Sequence, residues 1–184
     1  MGQYYMAIIL GETPIDENKT EIIRAFMEVF ISAGGMKLME HSYIDNPFVN
    51  TFEYQLTKNG MFYKSRVVWG GDYADQEKNI DKNLHVLTHD FPDKNLTTKI
   101  TNEDIKSTKD YHYIINHSKR QFVDKQKSFL IHPLPLLTAE GNGRGGGDYR
   151  GSNEKLVGTW ARDILSIEKE KPDDYKELIC NFEE

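Results

Sequence analysis

The segment Glu140-Gly141-Asn142-Gly143-Arg144-Gly145-Gly146-Gly147-Asp148-Tyr149-Arg150-Gly151 gathers the residue types that bind anions. Six glycines fall between 141 and 151, and glycine lets main-chain N–H groups approach a phosphate that a Cβ would hold off. Arg144 and Arg150 would add charge-assisted hydrogen bonds. The segment is not a Walker loop, because no Gly-Lys-Ser/Thr follows, and no helical pattern opens after it as a dinucleotide fold requires. The same composition also suits a plain hairpin connection.

A second feature echoes the first. Gly70-Gly71-Asp72-Tyr73 recurs as Gly146-Gly147-Asp148-Tyr149. If the two turns meet at one end of a sheet, Asp72, Asp75 and Asp148 could share a cleft, where carboxylates bind Mg²⁺ or act as general acid and base. The alternative is ordinary turn chemistry, with each aspartate capping a backbone N–H. Tyr73 and Tyr149, beside glycines, are candidates to stack a base. Trp69 and Trp160 are expected in the core, since burying an indole is strongly favourable.

Other candidates carry less. His85 and His89 lie four apart, which on a helix puts both rings on one face, but no third ligand follows at metal-binding spacing and no metal is expected. Cys180 sits among acidic residues, which disfavour a thiolate. No Gly-x-Ser-x-Gly elbow occurs. Whether the chain is an enzyme, and which cofactor it would use, is left open by these residues.

These features need elements to position them. Residues 3–10 form an apolar run that reads as a strand. Ile22, Ile23, Phe26, Val29 and Phe30 follow helical spacing, with Asn18 and Glu21 as capping box and Gly34-Gly35 as stop. A strand is expected over 36–44, a helix from Asn46-Pro47 to Asn59-Gly60, and a strand over 61–69 ending at Gly70-Gly71. Residues 76–108 are polar and give no clear element. A hairpin is expected from Tyr111–Asn116 and Arg120–Asp124, then strands over 134–139 and 156–167 and a short helix from Pro172. Together these predict one α+β domain over 1–184, with a mostly antiparallel sheet and two or three helices.

Composition narrows the partners. The formal net charge is −6, and residues 168–184 hold seven Asp/Glu against three Lys, so this acidic C-terminal segment carries −4 and the rest only −2. Such a body has no general field for nucleic acid. A single cysteine precludes an internal disulfide, and no apolar stretch approaches the ~20 residues of a membrane span, which together suggest a cytoplasmic protein.

Met1-Gly2-Gln3-Tyr4-Tyr5, Lys37-Leu38-Met39-Glu40-His41-Ser42-Tyr43, Arg66-Val67-Val68-Trp69 with Gly71-Asp72-Tyr73-Ala74-Asp75, and Gly141–Gly151 followed by Trp160 resemble a family of small uncharacterised proteins of bacteriophages and gut-type bacteria. The resemblance spans most of the chain except 76–108. It implies a phage or prophage accessory protein working in the host cytoplasm, and it transfers no catalytic residue. The expectation is a protein binding a phosphorylated small molecule, a nucleotide or nucleotide-derived signal, through Tyr73, Arg144, Gly145, Gly146, Asp148, Tyr149 and Arg150. The alternatives are a metal-dependent phosphoesterase or nuclease using Asp72, Asp75 and Asp148, and a protein–protein inhibitor. A host protein or a second copy of the chain stays open as a partner.

Overall fold

Strand β1 (Tyr5–Leu10) is buried at every residue, so both its faces need cover and both its edges need partners. The computed structural model describes residues 2–12, 20–104, 107–142 and 145–184. Among them β1 is joined by β2 (Ile23–Met27), β3 (Ser65–Gly71), β4 (Tyr113–Asn116), β5 (Gln121–Asp124), β6 (Ala139–Glu140), β7 (Ile164–Glu168) and β8 (Lys176–Glu177). They form one sheet in the order β2-β1-β3-β7-β4-β5-β8, with β6 beside β3. Only β3–β6 and β5–β8 are parallel, which gives the α+β, mostly antiparallel class that the pattern predicts.

Four short α-helices cover the sheet among the described residues: α1 (Leu38–His41), α2 (Pro47–Gln55), α3 (Leu84–Leu87) and α4 (Pro133–Leu137). On one face Phe48 and Phe52 of α2 set their ring edges on Trp69, with centroids 5.6 and 5.2 Å apart. Such edge contacts add to the burial of indole area. Leu84 and Leu87 of α3 cover the other face with Met6, Ile8, Leu10 and Val68. Trp160 is also fully buried. Among the described residues no helix is long and apolar enough to cross a membrane.

Several expected elements are corrected. The helix expected over 18–33 is strand β2; its proposed cap Asn18 lies outside the described residues, and Ile22 is 62% exposed. The register of β1 with β2 shifts between Ile9 and Leu10, so Ile9 faces Ala25 while Leu10 faces Ile23 and Arg24 is the extra residue. This bulge puts Ile23 and Phe26, three apart, on the same side of the sheet. Spacing of three then imitates a helix.

The strand expected over 36–44 contains α1, where Glu40 accepts a hydrogen bond from the Lys37 N–H at 2.9 Å. The strand expected over 134–139 is mostly α4. There His132 Nδ1 accepts from the Leu134 N–H at 3.2 Å and Pro133 takes the first helical position, where its missing N–H costs nothing. The helix expected from Asn46 does form, with Asn46 Oδ1 accepting from Phe48 and Val49, but it stops at Gln55. Of the strand expected over 156–167, only the end survives, in β7. The terminal helix is replaced by β8 and an extended tail whose Cys180 and Phe182 are buried.

Candidate functional site

Tyr5 starts β1 opposite Gly71, the last residue of β3. β6 runs parallel to β3 with Glu140 opposite Gly70, so the glycine segment leaves the sheet where the 72–75 turn begins. The two Gly-Gly-Asp-Tyr copies therefore lie at the same end of the sheet. Tyr5 links them: its buried hydroxyl donates to the Gly145 carbonyl. Burial first, then the Asp148 and Asp72 carboxylates, push its phenol pKa well up.

The two aspartates serve turns. Asp72 Oδ1 accepts from the Tyr4 N–H at 2.9 Å, and Asp148 Oδ1 accepts from the Met39 N–H at 3.0 Å. Each satisfies a backbone donor, as short acidic side chains commonly do. Asp75 lies elsewhere, bordering a hollow with Glu77 and Glu140. Among the described residues no group of three or more His, Cys, Asp or Glu is placed to hold a metal ion.

Two hollows flank the glycine segment. In one, of about 370 Å³, Asp75 and Glu77 face Glu140, Gly141 and Gly145, so the two turns do border a shared concavity. Its cation is occupied. Arg162 donates through Nε to Glu140 Oε1 at 2.6 Å, through Nη2 to Glu140 Oε2 at 2.9 Å, and through Nη1 to Glu77 Oε2 at 3.1 Å. Glu21, held by Arg66 through contacts of 2.7 and 2.8 Å, lies 3.6 Å from Arg162 Nη1. Burial opposes the charge on Arg162, but Glu140 and Glu77 more than offset it and raise its pKa. With its guanidinium engaged by carboxylates, this hollow offers little to an anion.

The other hollow, of about 410 Å³, has a different lining. Gln3, Asn142, Gly146, Gly147, Tyr149 and Arg150 border it, with Glu154 and Val157. Its volume lies within the roughly 300–1,000 Å³ of small-molecule sites. Arg150 is exposed, and its Nη1 donates to the carbonyls of Gly147 at 3.0 Å and Tyr149 at 2.6 Å. Those bonds fix the plane of the guanidinium at the rim. Among the described residues it makes no ion pair with a carboxylate.

A comparison with protein-family models, with curated proteins and with solved structures returns no match. Function must therefore be argued from the site.

The expected binding residues are only partly brought together. Gly146, Tyr149 and Arg150 border the larger flanking hollow and Gly145 the smaller one, while Asp148 points back to Met39. Arg144 lies outside the described residues. Tyr149 is not the exposed ring that base stacking needs: it is 2% exposed, edge-on to Phe182 at 5.7 Å, with its hydroxyl on the Ser152 carbonyl. Tyr73 is 47% exposed but borders neither hollow.

Gln3 and Asn142 escaped the sequence reading. Gln3 Oε1 accepts from the Asn142 N–H at 2.8 Å, across 139 positions of chain. The one available signal was a polar residue immediately before an apolar strand that had to start beside the 70–72 turn.

Proposed function

We propose that this protein binds a phosphorylated small molecule, a nucleotide or nucleotide-derived signal, in the hollow bordered by Gln3, Asn142, Gly146, Gly147 and Arg150. The observation that carries the reading is the state of Arg150. It is oriented by two backbone carbonyls, has no carboxylate partner among the described residues, and stands at the rim of a hollow of ligand size. A guanidinium held in that way loses little further freedom on meeting a phosphate, and its planar fork matches two phosphate oxygens. Gln3 and Asn142 supply neutral polar groups for the rest of the ligand.

The resemblance to phage proteins gives such binding a use: withdrawing a nucleotide-derived defence signal from the host. Thermal unfolding with a panel of mononucleotides and cyclic dinucleotides tests the reading. A ligand at a hundred times its Kd should stabilise the fold by about 2.7 kcal/mol. Arg150→Ala should weaken the same ligand by roughly 10- to 100-fold, the worth of a hydrogen bond to a charged group. No shift with any phosphorylated compound would sink it.

A further inference from the structure

The geometry points to a second, separate anion site, for a compact phosphate-bearing anion of at least two negative charges, in the hollow between the end of α2 and the segment after β7. This hollow, of about 640 Å³, exceeds both hollows at the glycine segment and shares no lining residue with either. Lys58, Lys64, Lys169 and Lys171 all line it, together with Ile115 and Ile167 of the paired strands β4 and β7. Four lysines and three carboxylates border it, an excess of one positive charge on a chain whose formal net charge is −6.

The carboxylates are not equally free to neutralise those lysines. Glu168 Oε2 accepts from Tyr63 Oη at 2.9 Å and from Ser166 Oγ at 3.1 Å, and its other oxygen lies 3.8 Å from Lys58. Lys64 and Lys169 rest instead on aromatic faces, each Nζ 5.3 and 5.0 Å from the centroids of Tyr63 and Tyr111 respectively. Lys171 lies over Phe122 at 5.5 Å. Among the described residues none of these three makes an ion pair. Aromatic faces hold ammonium groups in place without cancelling their charge, which leaves the charge for a ligand.

A fixed polar relay borders the same space. Tyr175 Oη lies 3.1 Å from His117 Nδ1, His117 Nε2 lies 2.7 Å from Ser166 Oγ, and Ser166 Oγ donates to Glu168. With Ser166 donating onward, His117 Nε2–H donates to Ser166 and Nδ1 accepts from Tyr175. The facing groups are thus Lys64, Glu168, Ser166 and Tyr175. Burial first, then Lys64, lowers the pKa of His117, while Glu168 acts in the opposite sense. An anion seated between Lys64 and Lys169 would screen Lys64 from the ring, so His117 reports on occupancy without having to touch the ligand.

Inorganic pyrophosphate is the probe, titrated at low ionic strength by calorimetry and by the ring signals of His117 in NMR spectra. Saturable binding with an upward shift in the His117 titration midpoint is expected. The exposed pair Lys64→Gln/Lys169→Gln should weaken binding about tenfold or more while leaving the unfolding temperature unchanged. Arg150→Ala should leave pyrophosphate binding at this hollow intact, so this test and that of the glycine-segment reading fail independently. The inference is overturned if pyrophosphate does not saturate, if the lysine pair leaves Kd unchanged, or if binding disappears in Arg150→Ala instead.

Discussion

Trp69 Nε1 donates a hydrogen bond to His41 Nε2 at 2.9 Å, and the two rings are inclined by 29° with centroids 6.1 Å apart. The bond requires His41 Nε2 to be unprotonated. His41 Nδ1, 3.1 Å from the Gly35 carbonyl, therefore carries the ring's one proton and donates it. The histidine is fully buried, and its chemistry appears in stability.

That arrangement predicts acid sensitivity. Burial lowers the pKa of His41 from 6.5 to about 4, against the opposing pull of the Gly35 carbonyl. Between those values the unfolded chain binds a proton that the folded chain refuses. Stability from this group is thus complete above pH 6.5 and lost as pH falls through about 4, up to about 3 kcal/mol in all. His85 and His117, also lowered by burial, act in the same direction. Urea denaturation at pH 7.5, 6 and 5 should give falling stability, and His41→Gln should flatten that slope. A flat profile in the parent protein would refute the assignment.

Glu53 is fully buried on α2, where Lys125 Nζ lies 2.8 Å from one oxygen and His132 Nε2 at 3.0 Å and Thr108 Oγ1 at 2.9 Å from the other. Burial disfavours its charge, but Lys125 and His132 more than reverse that and bring its pKa down to about 2. Its stabilisation is complete above about pH 4.5 and is lost as pH falls through 2. Glu53→Ala should cost about 3–5 kcal/mol at neutral pH, because it strands a lysine that is nearly buried. Denaturant titration measures this, and a loss below about 1 kcal/mol would show that the cluster relaxes.

Legibility followed how local each signal was. Asn46-Pro47 starts a helix because cap and proline act within four residues, and Gly70-Gly71 ends β3 where expected. The α+β class followed from the mix of runs. Strand β2 was misread because a bulge at Arg24 places Ile23 and Phe26 on the same face. The strand expected over 134–139 is instead mostly a helix, because the His132 side chain caps it and Pro133 takes its first position. At the site, the two turns do lie at one end of the sheet, which is the condition the shared-cleft reading set. The alternative reading, in which each aspartate caps a backbone N–H, holds, but the donors, Tyr4 and Met39, and the pairing of Arg162 with Glu77 and Glu140 were hidden because those partners are remote in sequence.

Cys180 is 4% exposed, and burial pushes its thiol up to about 12. At pH 8 the native protein should react with a soluble thiol reagent only as fast as its C-terminal segment opens, whereas the protein in urea should react at once. Labelling of the folded protein within the mixing time would show that the tail, anchored by Phe182 against Tyr149, does not stay docked.

Neighbouring glycines at the proposed site should respond unequally to the same substitution. Gly147 has φ +56°, and a Cβ there would lie 2.9 Å from the Tyr5 ring that holds Gly145. Gly146 has no such backbone demand, and its Cβ would come no closer than 3.4 Å, to Val157. Gly147→Ala therefore adds backbone strain and a clash, and should cost roughly 1–3 kcal/mol while loosening the segment that orients Arg150. Gly146→Ala should change stability by about 0.5 kcal/mol or less. If Gly146→Ala nonetheless abolishes nucleotide binding with its fold intact, the added methyl has filled space that the ligand uses. Equal effects of the two substitutions on stability and affinity would mean that Tyr5 does not brace this end of the sheet.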